Sequence, residues 1–230
     1  MRLTNSNNHE NNGRIGLPCA FVGAYRSSIS VPTSMITGLR GYPQVSGSST
    51  SKILDDKSSY PLFARTVATD HENSGPILQF FRERFNVRHL AVLHANDAWG
   101  NAFAEGLMEA VKEVDMTLVT VSLPTKVDSN AIHEAVETLK ISQFRYFFAV
   151  IWEFWDDLML EAYNQGIAGT GKHNWFFGDT FTPQFILRRS FPRGSVLQKA
   201  YNGIGLVGSV WCVHFGTRAT YSFLQAFALL

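Results

Sequence analysis

Cysteine is scarce in this sequence. Among 230 residues only Cys19 and Cys212 are present, and they form no C-x-x-C spacing. A disulfide framework and a cysteine-based metal or redox motif are therefore excluded, because both need several cysteines at characteristic spacings. A single bridge between the two cysteines stays open, and so does the redox environment of the protein.

An excess of charge of either sign is also missing. The 20 basic and 19 acidic side chains leave a formal net charge of +1. Binding to nucleic acid depends on a field of cationic side chains that attracts the phosphate backbone, and this composition provides none. We therefore expect no nucleic-acid partner and no electrostatic attachment to an anionic membrane surface.

No apolar run is long enough to cross a membrane. The most apolar stretch near the end of the chain, 204–213, has about half of the ~20 residues that a spanning helix needs. Residues 1–13 are polar and rich in Asn, which predicts a disordered N-terminus without the hydrophobic core of a secretory signal. The sequence thus predicts either a cytosolic protein or a piece of a longer gene product, whose membrane attachment would come from segments absent from this chain.

Motifs for catalysis and cofactor binding are incomplete. His133-Glu134 lacks the second histidine of the H-E-x-x-H zinc motif, and no serine lies in a G-x-S-x-G nucleophile elbow. The string G-x-G-x-x-G occurs at 203–208, but no strand is predicted before it and no acidic residue follows Asp179 to hold a ribose. The sequence predicts no metal site, no cofactor and no catalytic residue.

The abundant apolar and aromatic residues predict a folded protein with a sizeable core. Hydrophobic residues make up 45% of the chain and include 18 Phe. From residue 88 onward, short apolar runs alternate with helical periods, and this pattern predicts four strands separated by three helices. Three successive βαβ units of this kind form a parallel sheet with right-handed crossovers. The predicted strands are 90–93, 118–121, 146–151 and 175–177.

Upstream, the pattern predicts fewer elements. A helix precedes the βαβ units and begins either at Thr69, which has capping-box spacing to Glu72, or at Ser74, because Gly75-Pro76 would interrupt the longer version. The strands before it are too few to bury both faces of a parallel sheet, so we expect part of a domain. The predicted elements are strands at 17–24, 43–46 and 62–67 and a helix at 30–39.

Two segments rich in hydroxyl groups follow predicted strands. The first hydroxyl turn is 24–30 (Ala-Tyr-Arg-Ser-Ser-Ile-Ser), and the second hydroxyl turn is 45–51 (Val-Ser-Gly-Ser-Ser-Thr-Ser). Open α/β sheets bind ligands at strand ends, and hydroxyl groups offer donors and acceptors without charge. The turns therefore predict neutral hydrogen bonds to a carboxylate or a zwitterion. An enzyme with Ser27 or Ser49 as nucleophile is the weaker alternative, because no histidine lies near them in sequence.

Aromatic and acidic residues follow the strands of the βαβ units. Asp97 and Trp99 come after the first strand, Trp152 after the third and Asp179 after the fourth. All would line one edge of a parallel sheet, where a small molecule could contact them. Structural roles stay open as well: the two tryptophans could close the sheet end, and Asp97 could be the N-cap of the next helix.

Seven segments together carry a pattern that is known from one group of receptors. They are 23–28 (G-A-Y-R-S-S), 42–51 (Y-P-Q-V-S-G-S-S-T-S), 54–57 (L-D-D-K), 60–67 (Y-P-L-F-A-R-T-V), 97–100 (D-A-W-G), 165–169 (Q-G-I-A-G) and 175–179 (W-F-F-G-D). This order resembles the ligand-binding region of receptors built on the type I periplasmic-binding-protein fold. That group includes amino-acid-binding bacterial proteins and the extracellular modules of class C G-protein-coupled receptors, such as metabotropic glutamate and GABA-B receptors.

The resemblance covers about residues 20–185 and implies a two-lobed α/β fold. In this fold parallel sheets flanked by helices form two lobes that close on a ligand. The lobe that carries the hydroxyl turns is expected to be incomplete, because its opening strands are missing. The implied divisions are a disordered N-terminus at 1–13, a partial first lobe at 14–68, a second lobe at 69–185 and a C-terminal segment at 186–230 that returns towards the first lobe.

The resemblance also implies a binding site for an amino acid. Hydroxyl groups of the first lobe would hold the α-carboxylate, two aromatic residues would contact the ligand, and a carboxylate would meet its amino group. Arg26 stands where a small residue or Cys is common, and Trp stands where Tyr is more usual among the aromatics. The first serine of this site falls on Ser27 or Ser28, so both are candidates. In the order of these roles the site residues are Ser27, Ser28, Ser49 and Thr50, then Trp99 and Trp152, then Asp179.

We therefore expect a ligand-binding, non-enzymatic module of a cell-surface receptor, on the extracellular face of a membrane. It would capture a small amino-acid-like ligand between its lobes and signal by lobe closure. A second receptor chain, in a homodimer or heterodimer, is the other expected partner. The alternatives are a truncated paralogue that binds nothing and, less favoured, a hydrolase-type enzyme that uses Ser27 or Ser49.

Overall fold

The protein forms two compact units, each built around one sheet. The computed structural model describes residues 2–4, 19–178, 191–211 and 222–228. The first unit consists of Met1–Glu72 and Asp97–Phe103, and the second unit of Asn73–Asn96 and Ala104–Leu230. The boundary predicted between residues 68 and 69 lies near the observed one, but Asp97–Phe103 groups with the first unit instead of the second.

A four-stranded sheet forms the centre of the first unit. Its order is β1-β2-β3-β4, in which β1 is antiparallel to β2 and the other neighbours are parallel. The prediction of a disordered N-terminus at 1–13 is therefore wrong for Arg2–Thr4, because these residues pair with β2. Helix α1 connects β2 to β3, and a 3-10 turn precedes β4. The carboxyl ends of β2 and β3 lead into the two hydroxyl turns. The elements are β1 (Arg2–Thr4), β2 (Ala20–Val22), α1 (Ser27–Leu39), β3 (Gln44–Ser46), the 3-10 turn Lys52–Asp55 and β4 (Phe63–Arg65).

A six-stranded sheet forms the centre of the second unit. The order is β10-β9-β8-β7-β5-β6, and all neighbours are parallel except β9 and β10. The four strands predicted from residue 88 onward are β5 to β8, so the predicted α/β fold with parallel sheets flanked by helices is confirmed. The elements that follow β4 are α2 (Asp70–Phe85), β5 (His89–Ala95), α3 (Ala98–Ala110), β6 (Thr117–Leu123), α4 (Ser129–Ile141), β7 (Tyr146–Val150), α5 (Trp155–Asn164), β8 (Asn174–Gly178), α6 (Val196–Ala200), β9 (Gly205–Trp211) and β10 (Ser222–Ala228).

Apolar residues fill both faces of the central strands in the second unit. In β5 the run Leu90–Leu93 is fully buried, and β7 is buried from Phe147 to Val150. Continuous apolar runs of this kind are what a parallel sheet covered by helices requires. The Phe81 ring of α2 packs edge-to-face on Phe148 and Phe176, with ring centroids 5.6 and 4.9 Å apart.

The C-terminal segment differs from the prediction that it returns towards the first lobe. Strand β9 pairs in parallel with β8, and β10 pairs with β9, so the described part of 186–230 extends the second sheet. Ile204 and Leu206 join the core of this unit, and the Tyr201 hydroxyl donates to Asp156 at 2.8 Å. The backbone groups along the edge of β8 would otherwise be unpaired, and pairing with the apolar β9 satisfies them.

Helix starts show how local polar groups set the element boundaries. Thr69 and Glu72 form a reciprocal capping box, because the hydroxyl and the carboxylate each accept a backbone N–H at 3.3 Å. The longer version of α2 is therefore the one that forms, and Ser74 lies inside the helix. The N-cap of α4 is Asp128, whose carboxylate accepts the Ala131 amide at 2.8 Å.

Candidate functional site

The second half of the first hydroxyl turn belongs to a helix. Helix α1 begins at Ser27, three residues before the predicted start, so Ser27 and Ser28 lie in its first turn. The N-cap residue Arg26 has an extended backbone and provides no side-chain cap, and the first turn contains no acidic residue. This helix end therefore keeps the partial positive charge of its N–H groups, which favours an anion.

The two serines of this turn have different environments. Ser27 is 1% exposed, and its hydroxyl accepts a hydrogen bond from the Ser51 amide at 3.2 Å. Ser28 is partly buried, and its hydroxyl forms no hydrogen bond with the residues that the structure describes. The resemblance left the carboxylate contact open between the two serines, and the contacts favour Ser28 for a ligand and Ser27 for a structural role.

A network of hydroxyl groups connects the two turns. Ser46 Oγ donates to the Ala24 carbonyl at 2.8 Å and accepts the amides of Ser48 and Ser49 at 3.2 and 2.9 Å. Ser49 is fully buried, and its Oγ lies 2.8 Å from Ser30 Oγ and 3.2 Å from the Ala24 carbonyl. The Ser49 hydroxyl is therefore used within the protein, and it stabilises the start of α1 against the second turn.

Thr50 connects the second hydroxyl turn to a buried carboxylate. Its hydroxyl donates to Asp70, and the Asp70 amide donates to the Thr50 carbonyl at 3.3 Å. Asp70 is only 7% exposed. A buried carboxylate needs hydrogen bonds or a cation to offset its lost hydration, so this group is well suited to meet an ammonium group.

Trp99 lies in the part of α3 that belongs to the first unit. It is 4% exposed, and its ring meets Phe103 edge-to-face at 6.2 Å. The Asp97 carboxylate accepts the amides of Trp99 and Gly100 at 3.0 and 2.8 Å, so Asp97 is the N-cap of this helix. Trp99 therefore packs inside the protein, which is one of the two roles that the sequence left open. A ligand could reach only the small exposed part of its indole ring.

The second unit contains one further predicted site residue that the structure describes. Trp152 follows β7 directly and is partly buried, beside the exposed residues Glu153 and Phe154. Phe154 has a left-handed backbone with φ 63° and is the N-cap residue of α5. Asp179 lies outside the described residues, as does Cys212, so the amino-group contact and the disulfide both stay predictions.

A comparison with protein families decides which class of protein this fold belongs to. The family model described as the receptor family ligand binding region matches residues 4–210. The chain belongs to this family. The resemblance inferred from the seven sequence segments is thereby confirmed.

Individual receptors match shorter parts of the chain at modest identity. A metabotropic glutamate receptor of Drosophila melanogaster is 28% identical over 120 residues, which is 52% of this chain and 12% of the relative. The extracellular calcium-sensing receptor of Sus scrofa is 29% identical over 127 residues, or 54% of this chain and 11% of the relative. A G-protein coupled receptor family C group 6 member A of Carassius auratus is 36% identical over 64 residues, or 28% of this chain and 7% of the relative. The chain thus matches only about a tenth of the length of the first two receptors.

The receptor ligand binding region is not an enzyme family. No histidine among the described residues bonds to Ser27 or Ser49, whose hydroxyl groups interact with Ser51, Ser30 and Ala24 instead. A serine without an adjacent base is a poor nucleophile. In the same part of the chain no cluster of His, Cys, Asp or Glu could hold a metal ion, and no helix has the length and apolar character of a membrane span.

Two titratable side chains of the second unit have shifted pKa values. In the second unit a hydrogen bond from Gln165 lowers the pKa of Glu161, and so does its contact with His133 at 2.7 Å. Burial lowers the pKa of His173, which also lies near Arg145 and Lys172. Neither of these groups lies in the hydroxyl turns.

Sequence reasoning missed Asp70 as a member of the site. Its position after β4 and within a capping-box sequence made it look like an ordinary acidic residue in the first turn of a helix. One weak signal could have indicated Asp70. It is an acidic residue that follows the end of β4, a strand in the same sheet as the strands before the hydroxyl turns. Only the fold shows that Thr50 and Asp70, 20 positions apart, share a hydrogen bond.

Proposed function

We propose that this chain is the ligand-binding module of a cell-surface receptor and that it captures a small α-amino acid on the extracellular side of the membrane. The observation that supports the proposal most directly is the pairing of two opposite features in the first unit. An uncapped helix N-terminus with the available Ser28 hydroxyl suits an anion, and the buried Asp70 carboxylate suits a cation. An α-amino acid carries both charges, on two groups bonded to the same carbon atom.

The carboxylate of the amino acid would bind at the start of α1. Helix α1 is 13 residues long, so its aligned peptide dipoles give a partial positive charge at Ser27 and Ser28. Neutral hydroxyl and amide donors hold a carboxylate without the cost of burying a cationic side chain. The hydroxyl network of Ser49 keeps this helix end in place, and the Thr50 hydroxyl, which donates its proton to Asp70, holds the second hydroxyl turn beside it.

The ammonium group would bind at acidic side chains. Asp70 lies next to Thr50, so carboxylate and ammonium contacts come from neighbouring parts of the second hydroxyl turn. Asp179 is the second acidic contact that the resemblance implies, and Trp99 and Trp152 are the aromatic ones. Closing of the two lobes on the ligand, with signalling as its result, is part of the proposal.

The relatives support a receptor role and leave the ligand to be identified. Their names refer to glutamate in one case and to calcium in another. We take L-glutamate as the first probe, because it combines an α-carboxylate with an ammonium group. A divalent cation would need a cluster of oxygen ligands, and the described residues contain no such cluster.

Isothermal titration with L-glutamate, other L-amino acids and their decarboxylated amines tests the function. We expect α-amino acids to bind and the amines to bind much more weakly, because the amines cannot use the donors of α1. Ser28→Ala should weaken binding about tenfold, the usual effect of losing a hydrogen bond to a charged group. Ser48→Ala is the matched control and should leave affinity unchanged.

Two results would contradict this function. Absence of binding by every amino acid would favour the truncated paralogue that binds nothing. Equal binding of amino acids and their amines would mean that the α-carboxylate is not recognised at α1.

We also propose that the module pairs with a second copy of itself through α1. The helix contains no charged residue between Ser27 and Leu39, yet Ile36 is 63% and Leu39 87% exposed. In a two-fold interface a surface meets itself, so an uncharged apolar face avoids contacts between like charges. An exposed apolar patch on a helix is typical of an interaction site.

Leu39→Glu should abolish this dimer, because the two-fold axis would bring like charges together at an apolar contact. Analytical ultracentrifugation at about 100 μM protein, well above the micromolar dissociation constants of weak dimers, measures the mass. Ile141→Glu, at a 71% exposed isoleucine of α4, is the control and should not change the mass. A monomeric unaltered chain, or a dimer that tolerates Glu at position 39, would contradict the proposal.

A further inference from the structure

One buried cation in the first unit has no role in the contacts described so far. Arg65 ends β4, and its side chain is only 9% exposed. Its Nη1 donates to the carbonyls of Ser49 and Ser51 at 3.0 and 2.9 Å, and its Nη2 forms an ion pair with Asp55. The guanidinium also lies over the Phe63 ring, 6.0 Å from the centroid. The Arg65 guanidinium therefore already has hydrogen bonds, an ion pair and a ring contact within the protein.

The two carbonyls that Arg65 binds lie on either side of Thr50. Fixing both carbonyls fixes the peptide plane that precedes Thr50 and the one that follows Ser51, and this restricts the direction of the Thr50 side chain towards Asp70. A rotation of either peptide would leave a buried charge without its hydrogen-bond partner, which is costly. Arg65 thus restricts the part of the second hydroxyl turn that contributes ligand contacts.

Other groups hold the amides of the same turn but not this pair of carbonyls. Ser46 Oγ accepts the Ser49 amide, and Ser27 Oγ accepts the Ser51 amide. On the carbonyl side, Ser51 receives one further and longer bond, from the Leu54 amide at 3.3 Å. Among the described residues, Arg65 alone binds the carbonyls on both sides of Thr50. The Ser51 hydroxyl, fully buried, has no hydrogen-bond partner there, so the side chain of Ser51 does not help to fix this end of the turn.

We propose that Arg65 is the positioning residue of the amino-acid site. It does not touch the ligand; it holds Ser49, Thr50 and Ser51 in the conformation that binds, and it thereby sets the affinity. The effect of Arg65 on affinity rests on the proposed function. Its effect on the conformation of the turn does not depend on any ligand. Lys cannot replace Arg in this role, because an ammonium group lacks the planar fork that reaches two carbonyls and a carboxylate at once.

Amide hydrogen exchange of the ligand-free chain, measured by NMR, tests the effect on the turn. In Arg65→Lys we expect the amides of Ser49 and Ser51 to exchange at least about tenfold faster, as for the loss of hydrogen bonds to a charged group. The amides of Gln44 and Thr66, which bond to Leu62 and Ser46 in the same unit, should be unchanged. Asp55→Asn is the matched control: it removes the ion pair, keeps both carbonyl bonds and should leave exchange unaltered.

Titration with L-glutamate tests the consequence for binding. We expect Arg65→Lys to bind L-glutamate at least about tenfold more weakly and Asp55→Asn to bind like the unaltered chain. Unchanged exchange at Ser49 and Ser51, or faster exchange throughout the first unit, would overturn the proposal. Normal L-glutamate affinity in Arg65→Lys would overturn it as well and leave the proposed function intact. If the unaltered chain binds no amino acid, the proposed function fails, and the exchange experiment alone decides whether Arg65 positions the turn.

Discussion

Asp70→Asn is expected to weaken the binding of L-glutamate by about 100-fold, because removing one partner of a buried charge pair typically costs about 3 kcal/mol. Asn keeps the shape of the side chain and can still accept the hydrogen bond from Thr50. The substitution therefore removes the charge and little else. Isothermal titration measures the affinity, and thermal unfolding followed by circular dichroism verifies that the variant is folded.

A ligand without the amino group separates this charge contact from a structural effect. Glutarate resembles L-glutamate but carries no ammonium group, so it should bind the unaltered chain weakly and should not distinguish Asp70→Asn from it. Asp97→Asn is the control variant, because Asn caps a helix as well as Asp does and this carboxylate is already used by the amides of α3. Equal losses for L-glutamate and glutarate would mean that Asp70 only stabilises the turn.

Much of the fold could be predicted because local patterns and tertiary packing demand the same residues. Strands β5, β7 and β8 contain continuous apolar runs, and a strand covered on both faces by helices must be apolar. The capping box of Thr69 and Glu72 decided the start of α2 against the proline inside the helix. In these places local chemistry and the final fold agree, which is why the sequence was informative.

The candidate site could be predicted as a region but not as a set of contacts. The hydroxyl turns were recognised by composition, yet which hydroxyl is available to a ligand depends on partners far away in the sequence. Ser49 interacts with Ser30, and Ser27 with Ser51, so both are occupied, whereas Ser28 is available. Since all are serines near strand ends, no local pattern distinguishes them.

The same limit explains an error at the C-terminal end of the fold. Gly205 and Gly208 belong to a string that resembles a nucleotide-binding motif, and the pattern predicted no strand at 205–211. These residues form β9, because pairing with β8 and burial of Leu206 outweigh the low strand propensity of glycine. The glycines in this strand serve packing, and this interpretation leads to the second large effect.

Gly205→Ala is expected to lower the free energy of unfolding of the second unit by about 2 kcal/mol, within the usual cost of overpacking a core. A Cβ atom at this position would overlap the ring of Phe176. That ring cannot move aside, because it is 6% exposed and held edge-to-face by Phe81 and Phe85, with centroids 4.9 and 5.2 Å away. Urea unfolding followed by the fluorescence of Trp175, which is buried in the same unit, measures the change.

The control and the rescue for this prediction use the same unit. Gly75→Ala adds a Cβ in α2 where no atom lies within 4 Å, so it should stabilise by about 0.5–1 kcal/mol, the helix preference of Ala over Gly. Phe176→Leu alone should destabilise through lost packing, but combined with Gly205→Ala it should cost less than the sum of the two single changes, because the smaller side chain makes room for the methyl group. Additive costs would show that the new methyl group and the ring do not meet. A coupling of about 1 kcal/mol would show instead that glycine is required in β9 for the close approach of an aromatic ring, and not for a phosphate.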